Sequence, residues 1–184
     1  MADRGPIKHA DEGAHIDAFI AWHRRAYRSD FRVISRPDPN RQEPPDAIIQ
    51  SHRTIRWLEI GNAMWSDEYA QHLYSKMTPG EEHQPLQPGL YAETDNRLAS
   101  RFVDILAKKL NKASYDPLVE RYGPGYLVIP LVTVPGLFDM NTVDAMRWKW
   151  SKCEPTDRGS FRSVYIAYRD VVRGSCWCQR WRLA

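Results

Sequence analysis

Apolar residues recur along this chain in two periods, one helical and one alternating. Ile16, Phe19, Ile20, His23 and Tyr27 return at helical spacing, predicting an amphipathic helix from about His15 to Tyr27. His23 lies on its apolar stripe, where histidine is more often a packed core residue than a ligand. The first 13 residues are polar without such a stripe, and read as a loose N-terminus before one domain over residues 14–184. DFRVISRP, residues 30–37, alternates as a strand does and stops at Pro37 and Pro39. A proline-rich loop, residues 36–45, leads into DAII and IRWLEI, two apolar runs around a polar SHRT. Ser66 is placed to cap a helix over DEYAQHLYSKM, with Asp67 and Glu68 opposing its dipole in the first turn. TPGEEHQPLQPG then reads as a loop.

The second half continues the pattern. A longer helix is expected from about Glu93 to Ala113, with Leu98, Phe102, Ile105 and Leu106 inward and Arg97, Arg101, Asp104 and Lys108 outward. GYLVIPLVTV, residues 125–134, is apolar almost throughout, as a strand buried on both faces would be. Pro130 within it predicts a bulge or an early end. Asn141 is the expected cap of a helix over TVDAMRWKW, and FRSVYIAYRDVVRGSCWCQRW alternates well enough for one or two strands. Helices and strands in this order predict an α/β fold, a mixed central sheet flanked by helices.

Composition narrows the class. A chain of 184 residues, 42% hydrophobic, buries a core without metal or disulfide staples. No apolar run reaches the roughly 18 residues of a membrane span, and the N-terminus has no apolar leader core. Three cysteines, with two in CWCQ, do not form a disulfide framework, so the expected setting is reducing and cytoplasmic. The net charge of +3 is unevenly spread. From Arg147 onward nine Lys/Arg face three acids, and four of the seven Trp fall in the same stretch. Arg173, Arg180, Trp181 and Arg182 are therefore candidate nucleic-acid contacts, through phosphate attraction and base stacking. The other reading is a solvated edge strand guarded by arginine.

The chemistry concentrates in EPPDAIIQSHRTIRWLEIGNA, residues 43–63, where each apolar run carries one acid. In a hairpin centred between His52 and Arg53, opposed residues have numbers summing to 105. Gln50 then faces Ile55, and Asp46 faces Glu59 on the same side of the sheet. Two carboxylates so placed repel unless a cation or a proton intervenes, and Mg²⁺ is commonly held by one or two carboxylates. A slip of one residue would separate them. Zinc is not supported: Cys176 and Cys178 have one residue between them and no histidine nearby. No phosphate-binding glycine loop, serine-hydrolase elbow or His-Glu-x-x-His stretch is present.

Pro45-Asp46, the short hairpin and Glu59 in WLEI resemble the PD-(D/E)XK superfamily, the restriction-endonuclease-like nucleases, and the order of elements is similar over most of the chain. The resemblance implies a restriction-endonuclease-like sheet and Mg²⁺ (or Mn²⁺) held by Asp46 and Glu59. It implies hydrolysis of phosphodiester bonds in nucleic acid. The family's lysine, two residues after the second acid, falls at Gly61, which has no side chain. Either the lysine has moved, with Lys109 on the long helix the expected donor, or the fold survives as a non-catalytic module binding nucleic acid or protein. The resemblance also suggests Gln71 and Tyr74 as lining residues, and an acid on the first helix, for which Asp17 is the candidate.

Overall fold

The computed structural model describes residues 5–36, 44–86, 93–133, 138–153, 159–170 and 175–182. In chain order the elements are α1 (Gly5–Tyr27), β1 (Arg32–Ser35), β2 (Ala47–Ser51), β3 (Thr54–Ile60), β4 (Ala63–Met64), α2 (Asp67–Met77) and α3 (Thr94–Leu110). A 3-10 turn (Ala113–Tyr115), α4 (Asp116–Tyr122), β5 (Gly125–Val132), α5 (Met140–Trp150), β6 (Phe161–Asp170) and β7 (Ser175–Trp181) follow. The strands form one mixed sheet in the order β1-β2-β3-β5-β6-β7, with β4 extending the β3 side of β5. The outer pairs are antiparallel, while β3, β5 and β6 run parallel. Parallel strands need crossovers. The segment carrying α2, α3 and α4 supplies one, and that carrying α5 the other.

Alternation along the central strands sorts the core into two layers. Leu58, Ile60, Tyr126, Val128 and Tyr165 face Ile16, Phe19 and Ile20 of α1. Trp57, Leu127, Ile129, Val164 and Ile166 face Leu98, Phe102 and Leu106 of α3 and Val143 and Met146 of α5. The sheet is sandwiched by helices, as the apolar pattern predicts, and among the described residues no helix is long and apolar enough to cross a membrane. The hairpin register is the expected one: Gln50 pairs with Ile55 and Ala47 with Leu58, each pair summing to 105. His52 takes a positive φ of 49° to close it.

Four expectations are corrected. Helix α1 starts at Gly5, so residues 5–13 are helical. This extension has no apolar stripe; the Lys8–Glu12 ion pair and the contact of His15 Nε2 with Asp11 Oδ1 at 3.5 Å, each one turn apart, support it. The cap of α5 is Asp139, whose side chain accepts from Asn141 N and Thr142 N, and Asn141 lies inside the helix. The turn and helix over residues 113–122 were not expected at all. Finally, β5 neither bulges nor ends at Pro130, which pairs with Ala167. Val128 O accepts from Gly61 N and Val132 O from Trp65 N, so the even residues of β5 turn their backbone groups toward β3 and β4. Pro130, which has no N–H, thus faces the break between those two strands at Gly61 and Asn62.

Gly125 opens β5 against the indole of Trp57. A Cβ there would lie 2.4 Å from the Trp57 ring. Gly125→Ala is expected to destabilise the protein by about 1–3 kcal/mol, the usual range for overpacking a tight core. Urea unfolding of the two proteins measures it, and equal midpoints would contradict this packing.

Candidate functional site

At the end of β3, charged groups from several elements come together around Glu59. Glu59 is in the strand and alternates with Trp57 toward α3, so its carboxylate is buried at 4% exposure in an otherwise apolar layer. A lone buried carboxylate is costly, and two donors answer it. Lys109 Nζ reaches Glu59 Oε1 at 2.5 Å from the last turn of α3, and Tyr115 donates its hydroxyl to the same oxygen at 2.9 Å. The phenol's pKa is raised, first by burial and then by the Glu59 charge and the hydrogen bond to it. Glu59 Oε2 is buried, and among the described residues no donor reaches it; the same holds for Asn62 Oδ1 three residues on.

Asp46 lies one residue ahead of β2, after the cis Pro44–Pro45 bond. The backbone ladder ends at Ala47–Leu58, and Asp46 Oδ2 extends it by accepting from Ile60 N at 2.6 Å. Burial, and next the charge of Glu59, push its carboxyl from 3.8 up to about 7, against the lowering effect of the Ile60 N–H. Glu12 on α1 also raises it, and Lys109 lowers it. Glu12 itself is raised by burial, with Lys8 and Lys109 opposing and Glu59 adding. Three carboxylates therefore share one electrostatic neighbourhood with Lys109 and with Lys8, 3.7 Å from Glu12. Asn62 Nδ2 donates to Asp11 Oδ2 at 2.9 Å, tying the start of α1 to the strand that carries Glu59.

Gly61, where the resemblance places a lysine, lies against α3. A Cβ there would meet Ile105 Cγ2 at 2.9 Å and Lys109 Cε at 3.7 Å. The Lys109 side chain therefore passes beside the position from which a strand lysine would depart, and its ammonium ends on Glu59.

The other residues singled out in the sequence are elsewhere. Asp17 is exposed on α1 and accepts from Arg36 Nη2 at 2.6 Å; Glu12, a little over one turn earlier, is the helix acid near the carboxylates. Gln71 is exposed on α2 and Tyr74 is partly buried there, whereas the groups on Glu59 come from α3 and the 3-10 turn. Arg180 and Arg182 are exposed. Trp181 is 7% exposed and packs edge-on against Phe102 at 4.8 Å, so its ring belongs to the core. Arg173 lies outside the described residues. Glu12 and Tyr115 were missed by sequence reasoning. For Glu12 the available signals were Pro6 near a helix start and the Lys8–Glu12 spacing; Tyr115 has no signal.

Two carboxylates, one with an orphaned buried oxygen, suit a hard cation that keeps several waters. Among the described residues no cluster of three or more His, Cys, Asp or Glu is placed to hold a metal. Comparison with family models, with curated proteins and with solved structures returned no match.

Two tests follow from this geometry. Lys109→Met leaves Glu59 buried without its cation and is expected to cost about 3 kcal/mol in urea unfolding at neutral pH. Adding Glu59→Gln should recover part of that loss, and a double variant no better than the single would argue against the pair. In metal-free protein the raised carboxyl of Asp46 binds a proton that the unfolded chain releases. Its contribution is complete below pH 3.8 and is lost as pH rises through about 7. Wild type should therefore lose thermal stability from pH 5 to pH 8 relative to Asp46→Asn; parallel melting curves would exclude the shift.

Proposed function

We propose that this protein is a divergent PD-(D/E)XK-like, metal-dependent nuclease of restriction-endonuclease-like fold, in which the strand lysine is replaced by Lys109 from α3. The observation that carries the reading is the Lys109 side chain beside Gly61, with its ammonium on Glu59. An antiparallel β1-β2-β3 meander bearing the acids, with α1 against one face, supports the same fold.

Asp46 and Glu59 would hold the Mg²⁺, and the bound ion would polarise a phosphoryl oxygen and lower the pKa of a water. The chain's own groups do the rest. Lys109 supplies fixed positive charge next to the carboxylates, where negative charge builds as a phosphodiester is attacked. Tyr115 holds the Glu59 carboxylate in one orientation through Oε1, leaving Oε2 for the cation. Asp46, anchored on Ile60 N, is fixed relative to Glu59 by a single backbone bond. Glu12 deepens the negative potential that attracts a divalent ion.

Digestion of single- and double-stranded DNA and RNA with Mg²⁺, Mn²⁺ or EDTA tests the reading. Wild type should cut in a metal-dependent way, and Asp46→Asn, Glu59→Gln and Lys109→Met should each lose on the order of a hundredfold in rate. Gly61→Lys should not rescue Lys109→Met, because its Cβ meets Ile105. Activity that survives in Asp46→Asn would rule the mechanism out. Metal titration by calorimetry, with Glu59→Gln as the control, separates loss of the ion from loss of chemistry.

A further inference from the structure

The basic side chains at the end of β7 line a different feature. β7 is an edge strand, and beside its last residues lies a cleft of about 740 Å³. Arg180 and Arg182 of this edge line it with Arg147 of α5, Tyr27 at the end of α1, Gln179 and Ser163. Among the described residues no carboxylate lines it, and none pairs with Arg180 or Arg182. Arg147 has Asp144 at 3.1 Å, a pair exposed on both sides. Arg180 and Arg182 alternate with Trp181 along β7, so their side chains leave the sheet on the face opposite α5, while Arg147 reaches the cleft from α5. Their planar donor forks match phosphate oxygens in pairs.

The aromatic lining residue narrows the anion. Tyr27 is 52% exposed at the rim, although most large apolar residues nearby are buried, and Trp22 holds its ring edge-on at 5.6 Å. An exposed, braced aromatic ring among arginines is the combination that stacks an unpaired base while cations follow the backbone. A duplex keeps its bases stacked on one another and offers none to Tyr27. An acidic peptide would use the arginines but gain little from the ring.

We infer that this cleft binds a single-stranded segment of nucleic acid, with phosphates on Arg147, Arg180 and Arg182 and one base on Tyr27. The site is separate from the carboxylates. Glu59 pairs with Leu127, Leu127 with Val164, and Val164 with Trp181, so three strand spacings, about 14 Å, separate Glu59 from the end of β7. Binding here requires no metal and no cleavage.

The test is fluorescence anisotropy of a labelled oligothymidine with the full chain in EDTA, where no metal-dependent cutting occurs. The competitors are a hairpin duplex and polyglutamate. Arg180→Ala/Arg182→Ala is expected to weaken binding by about tenfold or more and to make its salt dependence shallower. Tyr27→Leu should weaken single-strand binding by about fivefold or more and leave the duplex unaffected. Arg180, Arg182 and Tyr27 are exposed, and circular dichroism checks that each variant is folded. Unchanged affinity in the arginine variant overturns the proposal. So does absence of oligothymidine binding, competition by polyglutamate equal to that of the unlabelled strand, or duplex binding as tight as single-strand binding. Failure of the digestion assay leaves this result standing, and the reverse also holds.

Discussion

The ion pair between Glu59 and Lys109 is the constraint around which this end of the molecule is arranged. A carboxylate at the centre of an apolar layer must be matched, and the match comes from the last turn of α3 rather than from a neighbouring strand. That requirement fixes how far α3 runs along the sheet. It also fixes the 3-10 turn that follows, because Tyr115 has to reach the same oxygen. Buried pairs of this kind seldom add net stability over apolar residues of similar volume.

The neighbourhood is deliberately unbalanced. Asp46 and Glu12 bring negative charge toward Glu59, and burial first, with the Glu59 charge adding to it, raises both carboxyls. α1 contributes to this with its first two turns, which are polar and packed at the strand end, while its later turns supply the apolar contacts of the opposite layer. One helix thus performs two tasks along its length. The core-forming part is anchored by Phe19, which meets Tyr165 at 5.1 Å.

Legibility in the sequence follows the same division. Where burial imposed a period, the chain could be read: the hairpin register, the buried β5, the α3 stripe and the two-sided sheet all follow from apolar spacing. Asp46 and Glu59 were legible for the same reason, since acids interrupt apolar runs there. The first turns of α1 were not, because ion pairs between Lys8, Asp11, Glu12 and His15 hold them and leave no apolar signature. Trp181 misled because composition counts aromatic residues without their direction, and its neighbour Phe102 decides that direction. Pro130 misled because the break it requires lies on the adjacent strand. Lys109 was legible only as an oddity, a charge in an apolar stripe, and its partner lies fifty residues earlier.

The contact between position 61 and Ile105 also constrains how such a site can change over generations. Any side chain at position 61 meets the γ-methyl of residue 105 at its first carbon, 2.9 Å away, so that methyl has to move before a strand side chain can be placed there. Position 61 is thus held at glycine by the packing of residue 105, a constraint independent of any charge in the site.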